Sequence, residues 1–225
     1  MRLVHSRDER HGRSPADPPA WRDAGRGRRA VWPRDPDGGG TWIAARDDGL
    51  VLAIMNVNPT PPPAQESSRL RSRGAIIPAL IEADLEEIEG QMVELNAAAF
   101  APFRLVATLS TTPEIRSWTW RGTGNVKRAV AATPACWATS GLGDEAVAPR
   151  LELFEEMLAR DPRPGTQDVF HRHRWHDRPE ISVLMERADA RTVSITTVDV
   201  PGAGRPAMEV STIAPYAASA PDEGA

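Results

Sequence analysis

Cysteine is nearly missing from this chain of 225 residues: Cys136 stands alone, which excludes an intramolecular disulfide and points to a reducing compartment. Long apolar runs are missing too, so nothing in the sequence reads as a bilayer span, and no charged n-region leads into an apolar signal core. A surplus of positive charge is also lacking. The formal charge is −4, which gives no general affinity for polyanions and disfavours nucleic acid as a partner. These absences together predict a cytoplasmic protein with no integral membrane segment. Lysine occurs once, at Lys127, against many arginines and 21 prolines, a bias expected of a GC-rich bacterial genome. The length suits one domain, expected over residues 1–215, with a disordered tail over 216–225.

What is present is organised around residues 37–74. Asp37-Gly38-Gly39-Gly40-Thr41-Trp42 opens the stretch, and its glycines allow positive φ or close approach by another chain. Two apolar runs follow, Trp42-Ile43-Ala44-Ala45-Arg46 and Leu50-Val51-Leu52-Ala53-Ile54-Met55-Asn56, split by Asp47-Asp48-Gly49. That pattern predicts a β-hairpin whose second strand is buried on both faces. Asn56 stands at the mouth of this strand, a proline-rich rim loop is expected from Pro59 to Pro63, and Arg71-Ser72-Arg73-Gly74 leads into an apolar helix.

Along the rest of the chain, residues 2–5 read as a short strand stub, and 10–37 as surface loop pinned by Trp21 and Trp32. Helices are expected over 74–81, 84–96, 144–160 and 166–174. Strands are expected over 103–109, 115–120, 135–139, 181–186, 192–200 and 207–213. Strand groups separated by helices fit a layered α+β domain.

Three groups of residues invite a chemical reading. Arg7 and Glu9 fall on one face of a strand and Asp8 on the other, so an Arg–carboxylate pair is expected beside a lone carboxylate; a plain structural ion pair is the competing reading. His171, His173 and His176 offer imidazoles for haem or a metal, although their spacing does not place all three on one helix face. Cys136 sits among Pro134, Ala135, Trp137 and Ala138, an apolar setting that suits a packed thiol better than a nucleophile. The glycines at 38–40 precede a strand and not a helix, which argues against a phosphate loop.

Ser6-Arg7-Asp8-Glu9, Gly39-Gly40-Thr41-Trp42, Asn56 and Ser72-Arg73-Gly74 follow one another as in the NRDE family, the transport and Golgi organisation 2 group. Asp189-Ala190-Arg191-Thr192-Val193-Ser194 resembles its bacterial branch. The resemblance implies the four-layer αββα sandwich of N-terminal nucleophile hydrolases, with Arg7, Asp8, Asn56 and Arg73 around one cleft. It also implies a link to haem trafficking and lipid homeostasis, hence haem or another small molecule as a ligand. Family members carry Cys directly after Met, on a strand ahead of the Asn-Arg-Asp-Glu turn. Here position 2 is Arg, Ser6 replaces Asn, and that strand is expected to be lacking, so the start of the chain reads as too late. The expectation is a non-catalytic binding protein that handles haem or lipid. The alternative is a cysteine-dependent amide or thioester hydrolase whose nucleophile lies upstream.

Overall fold

A computed structural model of the chain describes residues 1–60, 70–202 and 204–215. The expected rim loop falls in part, and the expected tail wholly, outside these described residues. The hairpin forms where the sequence places it. Strands β4 (Ile43–Arg46) and β5 (Leu50–Asn56) turn at Asp47-Asp48-Gly49, with Gly49 at φ 92°. Ala44, Leu50, Leu52 and Ile54 point to one side and Ile43, Ala45, Val51 and Ala53 to the other, so both faces are buried. Each fully buried Leu, Ile or Val among them contributes about 1.5–3 kcal/mol.

Five further strands extend the hairpin: β2 (Asp17–Asp23), β3 (Arg29–Arg34), β6 (Phe103–Leu109), β7 (Glu114–Trp120) and β8 (Lys127–Ala132). They give an antiparallel seven-stranded sheet in the order β2-β3-β4-β5-β6-β7-β8. The stretch 10–37 is therefore not simply loop. Its prolines are tolerated because β2 is an edge strand, and Gly25-Arg26-Gly27, all at positive φ, turns the chain back into β3. The arginines of this turn are tied down as well, Arg26 to Glu87 and Arg28 to Asp84. Strand β8 lies earlier than the expected segment at 135–139, which runs without regular structure.

Helices α1 (Ile76–Leu80) and α2 (Leu85–Glu94) cover one face of this sheet. A capping box between Asp84 and Glu87 starts α2, and Leu85, Ile88 and Met92 form its buried stripe. On the other face lies a three-stranded sheet in the order β1-β9-β10, made of β1 (Arg2–Arg10), β9 (Ala190–Asp199) and β10 (Ala207–Thr212). Val31, Trp42, Ile43, Val51, Val198 and Val200 pack between the two sheets. Helices α3 (Ala148–Leu158) and α4 (Pro164–His171) form the fourth layer, with a prolyl residue in the first turn of each.

Two more expectations are corrected here. β1 runs nine residues and is no stub, because its polar half from Ser6 onward continues to pair with β9. Residues 181–186 do not form a strand. Pro179 starts a 3-10 turn over Pro179–Ile181, and only an isolated bridge joins Glu186 to Arg191. No helix among the described residues is long and apolar enough to cross a membrane.

Candidate functional site

A cleft of about 990 Å³ opens along β1. All of residues 4–10 line it, which alternating side chains on one strand achieve only if the cleft follows the strand's edge. β1 pairs with β9 on one side, and among the described residues no strand pairs with the other. The facing wall comes from Gly38, Gly40, Thr41 and Trp42 ahead of the hairpin and from Asn56 at its end.

The glycines set how closely that wall is built. Gly39 adopts φ 71°, and a Cβ on Gly40 would stand 2.2 Å from the carbonyl carbon and oxygen of Gly74. That approach lets the Thr41 amide donate to the Gly74 carbonyl at 3.1 Å, which locks the hairpin entry to the chain around Ser72 and Arg73. Trp42 then turns between the sheets, where its indole N–H donates to Thr196 Oγ1 at 3.3 Å.

Arg7, Asp8, Asn56 and Arg73 all line the cleft. Arg7 is 6% exposed, lies 4.6 Å over the Trp42 ring, and has its Nη2 3.1 Å from Glu9 Oε1 and 3.7 Å from Asp35 Oδ2. It is thus a paired, buried cation. Burial pushes the Glu9 carboxyl upward, and Arg7 and Arg13 pull it back. Arg73 donates to the Pro102 carbonyl at 2.9 Å, and burial pulls its pKa below the usual guanidinium range.

Asp8 looks the other way. Its Oδ1 accepts a 2.6 Å hydrogen bond from Thr192, whose Oγ1 in turn accepts from the Met185 amide at 2.9 Å. The register between β1 and β9 shifts between Arg7 and Asp8, bringing Thr192 opposite Asp8. Asp8 is exposed where it opens into the cleft, and the protein walls around it raise its pKa by desolvation against the pull of Arg150, Thr192 and Arg187.

The three histidines separate. His171, at the end of α4, lines the cleft, and a 2.9 Å hydrogen bond joins its Nδ1 to Ser6 Oγ. His173 stacks edge-on against Trp175 with ring centroids 5.0 Å apart, and His176 is exposed. The helix ends before both of them, which breaks the helical spacing. Among the described residues no group of three or more His, Cys, Asp or Glu could hold a metal ion. Burial, with the charges of His5, Arg2 and Arg172, lowers the His171 pKa to about 3; burial likewise lowers His5 to about 4. Both imidazoles are therefore neutral at physiological pH.

Arg150 and Asn58 escape a reading of the sequence. Asn58 Nδ2 donates to Thr139 and its amide to Asp144, fastening the segment around Ser140 to the hairpin end. Arg150 is 7% exposed and reaches across to two loops, donating from Nε to the Ile181 carbonyl at 3.0 Å and from Nη1 to the Thr139 carbonyl at 3.3 Å. An arginine within an amphipathic helix carries no local signal for this. Cys136, also on the cleft wall, has its thiol pushed by burial up to about 12, so almost none of it is thiolate at neutral pH.

The sequence model of the transport and Golgi organisation 2 family matches residues 1–157, which takes in β1, the hairpin and the glycine contact. The chain belongs to the transport and Golgi organisation 2 family. The matched region supplies the cleft wall from Val4 to Arg150, while His171, Met185 and Arg187 of this family member come from the chain beyond it. No curated protein matches the chain.

Proposed function

We propose that this family member is a binding protein whose cleft receives an amphipathic small molecule with a charged head, haem and lipids being the classes its family suggests. The observation that carries this reading is the two-sided lining. Arg7, Asp8, Arg73 and Arg150 supply charge, while Trp42, Ile54, Phe170 and Met185 supply apolar surface in the same cleft. A site that is partly apolar with a few fixed polar groups suits such a ligand. Binding without hydrolysis is the preferred form of the reading because the one thiol on the wall, Cys136, is held protonated.

For haem as cargo, His171 is the imidazole in place: it is neutral, lines the cleft and is oriented through Nδ1 by Ser6. Apolar surface would take the macrocycle and the arginines its propionates. The test is a haemin titration followed at the Soret band, in the wild-type chain and in Asn56→Trp, which fills the cleft mouth from an exposed position. A saturable change in the wild type that is lost in Asn56→Trp supports the cleft. Equal haemin binding by both proteins removes it.

A second reading keeps hydrolysis, and the open edge of β1 favours it. An added strand beside residues 4–10 with a cysteine at its start would put a nucleophile among Arg7, Asp8 and Asn56. In-frame coding sequence for Met-Cys a strand's length upstream, with amidase activity gained by the longer chain, would support this reading. An inactive longer chain would exclude it.

A further inference from the structure

The cleft holds two opposite charges that attract each other and do not meet. Asp8 and Arg150 both line it and each shifts the other's ionisation, yet no ion pair within 4.0 Å joins them. Their own hydrogen bonds leave one vacancy on each. Asp8 is oriented by Thr192, which donates to Oδ1 and is the residue's only side-chain hydrogen-bond partner among the described residues. Oδ2 remains an acceptor. Arg150 spends Nε and Nη1 on loop carbonyls, and its Nη2 is buried with no hydrogen-bond partner. A buried guanidinium N–H left unbonded is costly, and a site for a ligand is one reason for a fold to tolerate it. Arg7 Nη2 and Arg187 Nε are likewise buried without a hydrogen bond, but each of these guanidiniums has an ion-pair partner, Glu9 at 3.1 Å and Asp189 at 3.2 Å, which Arg150 lacks, and Arg73 donates to Pro102.

A group that bridges Asp8 and Arg150 has to donate at one end and accept at the other. A lone carboxylate would satisfy Arg150 and be repelled by Asp8. A lone ammonium would satisfy Asp8 and be repelled by Arg150, with Arg187 adding to that repulsion. An ammonium and a carboxylate on the same carbon meet both demands at once, each through a charge-assisted hydrogen bond. Phe170, Val183 and Met185 line the neighbouring wall and offer apolar contact to a tail.

Resting on the reading of the cleft as an amphiphile site, we propose that Asp8 and Arg150 form a head-group site for an α-amino acid with an apolar side chain. The ammonium donates to Asp8 and the carboxylate accepts from Arg150.

The test is calorimetric titration of the full chain at pH 7.5 with three amphiphiles that share a chain length: 2-aminooctanoic acid, octanoic acid and octylamine. 2-Aminooctanoic acid is expected to bind at least about tenfold more tightly than either of the others. Asp8→Asn should erase its advantage over octanoic acid, and Arg150→Met its advantage over octylamine. Asp8→Asn carries the test alone if Arg150→Met does not fold. Equal affinity for all three, or an order that survives Asp8→Asn, overturns the head-group site. If none of the three binds while haemin still does, the head-group site fails and the cleft reading stands; if haemin fails as well, both fall.

Discussion

Two buried arginines divide the molecule. Arg46, at the end of β4, is 2% exposed and fully used: Nε and Nη2 each donate to Asp48 at 2.8 Å, and Nη1 donates to the Ile81 and Ala83 carbonyls at 2.9 and 2.7 Å. Arg150, behind the three-stranded sheet, is nearly as buried and keeps one nitrogen unbonded at the cleft. The first staples the hairpin to the chain leading into α2. The second sits where β1, the 139–142 segment and the turn at Pro179–Ile181 come together without closing. The contrast is between these two arginines: Arg46 is saturated by its neighbours, whereas Arg150 keeps a donor for which a ligand is one candidate partner.

The largest effect is expected where the two sides join. Gly40→Val would drive a branched side chain into the backbone of Gly74, and loss of cooperative unfolding in a thermal melt is the expected outcome. A wild-type melt would show that the glycine run gives way freely. Next comes Arg46→Met, which strands two carbonyls and unpairs the partly exposed Asp48, and should cost about 2–4 kcal/mol by denaturant unfolding. Arg150→Met removes two carbonyl hydrogen bonds but also an unbonded buried cation, so a change within about 1–2 kcal/mol is expected. Equal losses at the two arginines would erase the contrast between the regions.

A smaller, pH-dependent effect sharpens it. His171 falls from an ordinary 6.5 to about 3, so the folded state excludes a proton that the unfolded state takes up below pH 6.5. Stability contributed by the neutral ring is complete above that pH and is lost as pH falls toward 3, by at most about 1.4 kcal/mol per pH unit. His5 acts in the same sense, whereas Asp8 and Glu9, whose pKa values are raised, oppose it in the carboxylate range. The comparison of wild type with His171→Asn isolates the imidazole. Stability of the variant should fall less steeply between pH 6.5 and 4, and parallel curves would contradict the assignment.

Legibility in the sequence follows the same divide. The hairpin is readable because its signals are local: two apolar runs, a turn of Asp47-Asp48-Gly49, and glycines that serve one positive φ and one close approach. β2 and β3 are hidden by Arg and Pro, since their burial comes from Trp21, Val31 and Trp32 packing on partners distant in sequence. The full length of β1 is hidden because residues 6–9 are polar for the sake of the cleft. Arg150 is not legible at all: its environment is assembled from Thr139 and Ile181, and helical periodicity sees only the stripe of Val147, Leu151, Phe154 and Leu158. The histidine cluster misleads for the opposite reason, adjacency in sequence without a shared surface.

The claim that the cleft beside β1 is the binding site is tested most directly by amide chemical shifts recorded while 2-aminooctanoic acid is added to the wild-type chain. Saturable shifts are expected in residues 4–10, 38–42 and 139–142, with the hairpin core around Leu52 unmoved. Shifts centred elsewhere, such as the exposed strand β8, with residues 4–10 silent, would contradict it.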